Sequence, residues 1–231
     1  MFAWAVTLTA ASLPVCSLEL PSGLSALSED QIRQELRRVQ PQDADFKFTP
    51  PKEWGKNLVR SAEICDASFG ESLLAAGRVI DGLPGSTWQS AQYFPHPELV
   101  IDLGKPQTFD RLVAFNRHTR SRGTEGGNNA ASQLELWVGN QPDFSDMQPV
   151  ARVDLDGPNA ICFRRAGGGE VCTFVDHVQP KIAELPQTKG RFVKVCLVSA
   201  HWGENLPEGW SDSVALSELM LFCSAGQNCQ R

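Results

Sequence analysis

From Asn57 onward the chain carries no apolar period of 3.6 residues long enough to build a helical core. It shows instead short runs rich in β-branched and aromatic residues, each broken by Gly, Pro, Asn or Asp. ELVIDLG places Leu99, Ile101 and Leu103 on one face of an extended segment, and SQLELWVGN does the same with Leu134, Leu136 and Val138. TFDRLVAFN, PVARVDLDG, RFVKVCLVSA and VALSELMLF supply at least four more strands of this kind. Alternation with no intervening helix is the signature of an all-β, antiparallel sandwich, and a chain of 231 residues suits one such domain with extensions.

The segment ahead of the strands has a different character. Residues Ser28 to Val39 read as one short amphipathic helix, with Ser28 as cap, Gln31 completing a capping box, and Ile32, Leu36 and Val39 on one face. Glu29 and Asp30 open it and Arg37 and Arg38 close it, an order that complements the helix dipole. Pro41 then stops the helix, and the proline-rich PQDADFKFTPPKEWG reads as an extended connector. Such a helix needs a surface to pack on, and the sandwich is the expected one; a propeptide or partner-binding role is the alternative. Before it, MFAWAVTLTAASLPVCS is an apolar run too short to cross a bilayer, with a helix-breaking Pro14 and small residues following, and it reads as a secretory signal. The run lacks a preceding Lys or Arg, so a buried N-terminal segment is the competing reading. The expected layout is a signal peptide at 1–17, a helix and connector at 18–56, the sandwich at 57–223 and a tail at 224–231, with no transmembrane span.

A secretory route gives the cysteines a purpose. Of seven, removal of Cys16 with the leader leaves Cys65, Cys162, Cys172, Cys196, Cys223 and Cys229, enough for three bridges whose connectivity spacing alone does not decide. Cys162 and Cys172 flank the flexible FRRAGGGEV, which lets them meet. Free thiols in a reducing compartment are the alternative, and a zinc site is disfavoured because no CxxC or paired histidine spacing occurs. The formal net charge of −6 argues against a general affinity for nucleic acid or anionic membranes.

The most specific stretch is AAGRVIDGLPGSTWQSAQ followed by HPELVIDLGKPQTFDRLVAFNR. An Asp81-Gly82 turn, Trp88 seven residues after the Asp, a strand ending Asp102-Leu103-Gly104 and an apolar strand from Phe109 to Phe115 follow in order. Together with QLELWVGNQPDFS, RFVKVCLVSA and VALSELMLF, this pattern resembles the coagulation-factor type C, or discoidin-like, domain of the galactose-binding-like superfamily, over roughly Asn57 to Cys223. The resemblance implies a jelly-roll β-sandwich that binds ligands through loops at one end. It also implies a tie between the domain's ends, here Cys65 with Cys223 or Cys229, leaving Cys196 for the remaining bridge. In sugar-binding members a structural Ca²⁺ sits at the Asp-Gly turn, and the positions that match here are Asp81, Ser86 and Glu218, with carbonyls of Arg78, Leu83 and Ser217. The competing reading is that Asp81 caps its own turn and Glu218 makes a buried ion pair. Trp88 is expected in the core beneath the turn, and Trp137 on the opposite face of its strand, covered by another segment.

Ligand-binding residues are expected in two loops. NRHTRSRGTEGGNNAAS carries Arg117, His118, Arg120 and Arg122 and ends near Asn129; SAHWGENLPEGWSDS carries His201, Trp202, Asn205 and Trp210. Fixed planar donors suit vicinal hydroxyls, and an indole suits the apolar face of a pyranose. Arg117, His118, Arg120, Asn129 and His201 are therefore expected hydrogen-bonding groups, and Trp202 or Trp210 the stacking platform. The same arginines suit an anionic ligand. Four histidines in no metal spacing, and the absence of GxSxG or a phosphate-cradling glycine loop, leave catalysis without support. The expected function is that of a secreted, non-enzymatic carbohydrate-binding module with a glycan or glycoprotein as partner. A protein that binds another extracellular protein in adhesion or complex formation is the rival; a phospholipid headgroup ranks lower because clear apolar spikes beside basic residues are missing.

Overall fold

The protein is described here from a computed structural model, which covers residues 26–39, 47–68, 73–90, 96–116, 130–157, 159–175, 179–200 and 214–224. It is an antiparallel β-sandwich with a short N-terminal helix, as the alternating pattern requires. Its strands are β1 (Glu63–Ala67), β2 (Trp88–Gln89), β3 (Glu98–Asn116), β4 (Ala131–Gly139), β5 (Gln148–Asp154), β6 (Asn159–Arg164), β7 (Glu170–Val175), β8 (Lys181–Ala200) and β9 (Ala215–Phe222). The main sheet runs β2-β9-β3-β8-β4-β5, with β1 added on β3, and β6 pairs with β7 in a separate hairpin.

Two long strands shape the sandwich. The first part of β3 lies between β1 and β8, and its second part lies between β8 and β9, so β3 and β8 pass together from one layer to the other. They turn where the register breaks between Asp102 and Gln107. Gly104 takes φ +77° there, and its N–H donates to Asp102 Oδ1 at 2.8 Å. Across the corner Arg191 grips Asp102 with two bonds, Nε to Oδ1 at 2.8 Å and Nη2 to Oδ2 at 2.7 Å. Between the layers Leu99, Ile101, Leu112, Leu134, Leu136, Val195, Leu197, Leu216 and Leu221 are fully buried in one core, with Trp88 and Phe109. Trp137 points to the other side of β4, half-buried, with the Lys194 ammonium 5.1 Å from its ring centre. The Lys194 side chain of β8 thus lies over this indole.

The helix α1 (Glu29–Val39) forms where expected, and its capping box closes: Ser28 N–H donates to Gln31 Oε1 at 2.9 Å and Gln31 N–H to Ser28 Oγ at 3.3 Å. It packs on the hairpin rather than on the main core. Ile32 and Phe163 are buried together beside Leu27, Leu27 bonds by its backbone to Arg164 and Ala166, and Glu29 pairs with Arg165 at 3.0 Å. The connector adds a strap: Trp54 packs against Phe222 at 5.6 Å between ring centres and under the Arg111 guanidinium at 4.4 Å.

The cysteines depart from the expected framework. Cys65 and Cys196 are free thiols, whereas Cys162 and Cys223 are disulfide-bonded. Cys162 stands directly opposite Cys172 in the hairpin register. The expected tie from Cys65 to Cys223 or Cys229 is therefore not made. Cys65 lies beside Val100 near the start of β3, its thiol on the Val100 carbonyl, while Cys223 follows the residue paired with Arg111. Roughly ten residues of strand, at about 3.3 Å each, separate those levels, far beyond the ~7 Å that a bridge spans between Cα atoms. The leader at 1–17 and Cys229 lie outside the described residues.

The corner supplies a test of the packing. A Cβ on Gly190 would collide with Val138 Cγ1 and come within 3.1 Å of the Gly139 carbonyl. Gly190→Ala is expected to lower stability by about 1–3 kcal/mol, the usual cost of overpacking, read as a reduced urea midpoint with unchanged slope; an unaltered midpoint would show that β4 yields freely at this point.

Candidate acidic turn and the anchored loops

The 3-10 turn Gly77–Ile80 delivers the chain to Asp81 and then to Gly82, whose φ of +77° requires a residue without a Cβ. Asp81 does cap its own turn, as the simpler reading has it: Oδ1 accepts from Leu83 N–H at 2.7 Å, and Oδ2 accepts from Ser86 Oγ–H at 2.8 Å. Ser86 Oγ also lies 3.3 Å from the Arg78 carbonyl, and Ser86 N–H donates to the Leu83 carbonyl at 2.8 Å. The Arg60 guanidinium donates to the Asp81 carbonyl from the opposite side. Leu83 itself projects into solvent.

Beneath the turn lies Glu218 of β9, fully buried. Its Oε2 accepts from Gly82 N–H at 2.9 Å, while Oε1 has no hydrogen-bond partner. Burial pushes its carboxyl up to about 8; the Gly82 N–H opposes that rise, and the facing Asp81 carboxylate adds to it. The expected ion pair is thus replaced by a meeting of two acidic groups, which favours either a retained proton or a bound cation. A buried acceptor without a donor is costly, and a hard cation satisfies it.

The residues present fit such an ion. Arg78 by its carbonyl, Asp81, Ser86 and Glu218 are brought together as expected, and they are all oxygen donors, which Ca²⁺ prefers. The Leu83 carbonyl is engaged by Ser86, and the fully buried Ser217 shares a hydrogen bond with Thr87, Oγ to Oγ1 at 3.0 Å. Among the described residues no group of three or more His, Cys, Asp or Glu side chains forms a metal cluster, so an ion here would depend on backbone carbonyls and a hydroxyl.

The expected ligand residues Arg117, His118, Arg120, Asn129, His201, Trp202 and Trp210 lie outside the described residues. The ends of the loops that carry them are described, and they meet. Asn116, which enters the first loop, pairs with Leu216, and its Nδ2 donates to the Ala131 carbonyl at 2.7 Å. Ala130, which leaves that loop, bridges to Ala215, and Ala131 pairs with Ala200, which enters the second loop. Val214, which leaves the second loop, is held by Ser90 through two bonds of 2.9 Å. Sequence reasoning missed Arg60, Thr87 and Ser90, because each acquires its role only through the pairing of distant segments.

No protein-family model matches the sequence, and no curated protein matches it. Solved structures do. The CBM32-3 module of a family 31 glycoside hydrolase from Clostridium perfringens is 12% identical, with 76% of this chain and 99% of that one covered and a TM-score of 0.53. CBM32-5 of a C. perfringens family 89 enzyme, solved with GalNAc-β-1,3-galactose, is 17% identical over 73% of this chain and 100% of that one, with a TM-score of 0.46. The family 32 module of C. perfringens NanJ, solved with galactose, is 14% identical over 72% and 97%, with a TM-score of 0.45. The first of these likenesses shows the fold alone, an antiparallel β-sandwich.

The acidic pair makes a pH prediction. Folded Glu218 keeps its proton up to about 8, whereas an ordinary glutamate releases it near 4.5, so the folded state holds the extra proton between those values. In chelator, stability is expected to be fully present below the lower value and to fall as pH rises through the window. Melting curves across this range should show the fall, and Glu218→Gln, which keeps an acceptor for Gly82, should flatten it. Equal pH profiles for the two proteins would place the buried charge elsewhere.

Proposed function

We propose that this chain is a secreted, non-catalytic module of the discoidin-like kind that binds carbohydrate at the end of the sandwich where the loops 117–129 and 201–213 are rooted. The observation that carries this reading is the meeting of all four loop ends around the start of β9 and the last residues of β8. On this reading Arg117, His118, Arg120 and Asn129 in one loop, and His201, Trp202 and Trp210 in the other, are the ligand-binding residues. Guanidinium and amide groups there donate to hydroxyls, and an indole covers the apolar face of a sugar ring. The likeness in fold to the CBM32-3 module of a glycoside hydrolase supports the sugar class. Cleavage of a leader at 1–17 and a Cys162–Cys172 clip belong to the same reading. No helix among the described residues is long and apolar enough to cross a membrane.

A glycan array tests this directly. The wild type is expected to retain a defined set of glycans, and at least one of Trp202→Ala and Trp210→Ala is expected to lose affinity by about tenfold or more while melting near the wild-type temperature. A tryptophan that serves only packing would instead lose about 3–5 kcal/mol of stability on truncation. Arg120→Ala should weaken the same glycans by about 1.5–3 kcal/mol, the worth of a charge-assisted bond. Absence of any glycan signal for the wild type would transfer the site to a protein partner.

A structural Ca²⁺ at the acidic turn is the second part of the reading, and the unpartnered Glu218 Oε1 favours it. Asp81, Ser86 and Glu218 would hold the ion with the carbonyls of Arg78, Leu83 and Ser217. Bound there, it would neutralise the facing carboxylates. Because such an ion binds only the folded turn, calcium at about a hundred times its Kd is expected to add about 2.7 kcal/mol, seen as a raised Tm. Asp81→Ala should abolish most of that gain; a variant that responds like wild type would remove Asp81 from the site.

A further inference from the structure

The outer face of β5, β4 and β8 carries polar side chains joined into one network. Gln133, Glu135 and Trp137 alternate with the buried Leu134, Leu136 and Val138, so all three leave β4 on the side away from the core. Gln133 donates from Nε2 to Asp154 Oδ1 at 2.6 Å and accepts at Oε1 from Arg152 Nε, while Nη1 of the same guanidinium lies 3.7 Å from Glu135 Oε1. Glu135 Oε2 accepts from the Trp137 indole N–H at 3.4 Å. Lys194 stands over that indole, 5.1 Å from the ring centre, and reaches Glu98 Oε2 on β3 at 3.3 Å.

Each planar group is held by the next, so much of the cost of ordering it is met before any ligand arrives. Trp137 is only half-buried, which leaves part of its ring in solvent beside these groups. Exposed ion pairs contribute little to stability, and with Arg152 57% and Glu98 41% exposed, stability is a weak reason for the array. Its charges select the ligand. Arg152 and Lys194 each face a carboxylate already, and Asp154, Glu135 and Glu98 outnumber them, so a sulfate or a uronate meets net repulsion. Hydroxyls donate to carboxylates and accept from a guanidinium or an amide, and the C–H face of a pyranose covers an indole. A neutral glycan carries both on every ring.

We propose that this face is a second carbohydrate contact, with Trp137 as the platform and Gln133, Glu135 and Arg152 as its hydrogen-bonding groups, and that it takes a neutral, extended glycan. The face runs up to the loop roots, where Gln133 pairs with Ser199 and Ala131 with Ala200. From Gln133 to Trp137 the strand covers about 13 Å, longer than one pyranose ring, which suits a chain rather than a terminal sugar. The ligand class rests on the carbohydrate reading above; the position uses none of the loop residues.

The experiment uses the full chain on immobilised neutral polymers (galactan, mannan, xylan and β-glucan) and on sulfated galactan. At least one neutral polymer is expected to be retained, and Trp137→Ala to weaken that retention by about tenfold, the scale of one lost aromatic contact, with a melt near the wild-type temperature. Trp137→Phe, which keeps a ring, should recover most of it. An oligosaccharide of the retained polymer should also shift the Trp137 indole N–H resonance of the wild type, a readout that needs no variant. The chain with both Trp202→Ala and Trp210→Ala should still hold the polymer, and adding Trp137→Ala should release it. A wild type that gives no small-glycan signal on the array yet retains a polymer through Trp137 would remove the loop site and keep this one. Unchanged retention in Trp137→Ala, an unshifted indole in the wild type, no neutral polymer retained, or stronger retention of sulfated galactan through Trp137 would each overturn the assignment.

Discussion

The pairing of β3 with β8 is the constraint on which the rest of the molecule depends. Both strands carry apolar residues in each layer, and both turn at one corner, so their register decides which side chains of two sheets face each other. Arg191 and Asp102 hold that corner by two parallel hydrogen bonds, and the guanidinium keeps the Asp102 carboxyl below the usual carboxylate range. Gly190 permits β4 to approach there. A slip of one residue in this pairing would turn Leu99 and Ile101 out of the core and bring Val100 and Asp102 into it. The strands β1 and β9 are then added on β3 and β4 on β8, with β5 beyond β4.

The acidic turn illustrates how such a frame makes a site from ordinary residues. Asp81 in isolation would be a turn cap, and Glu218 in isolation would be an exposed charge on a strand. Their meeting depends on β9 lying beside β3, with Glu218 paired to Phe115, and on Gly82 bending the chain over it. Burial then makes one carboxyl reluctant to ionise, and the same burial raises the worth of any positive charge that enters. On the proposed reading a cation would compete with the proton for the same oxygens, a chemistry that neither residue carries alone.

Alternation made the strands legible in the sequence. Leu99, Ile101 and Leu103, or Leu134, Leu136 and Val138, declare a buried face without reference to any partner, and Ser28 with Gln31 declares a helix start within four residues of chain. The Asp-Gly turn and Glu218 were legible only through the resemblance to the discoidin-like domain. What alternation does not carry is pairing across distance: the clamp of Ser90 on Val214 spans more than a hundred residues, and Arg60 reaches Asp81 from a segment with no motif of its own. The cysteines failed for a related reason. A terminal tie for Cys65 assumes that β1 lies near the end of β9, whereas it lies beside the first part of β3. Trp137 was placed on the correct face, and its contact with Lys194 arises only through the β4–β8 register.

Ile32 of α1 and Phe163 of the hairpin β6–β7 are buried together, and neither belongs to the core between the two sheets. Two apolar clusters of unequal size in one chain open with unequal free energies. Among the described residues the smaller one holds Ile32 and Phe163 beside Leu27, with a backbone bridge and an exposed ion pair, and its opening leaves the sandwich closed. A protease that samples such openings would reach the polypeptide around α1 first, and the trimmed product would keep the acidic turn, the loop roots and the corner intact.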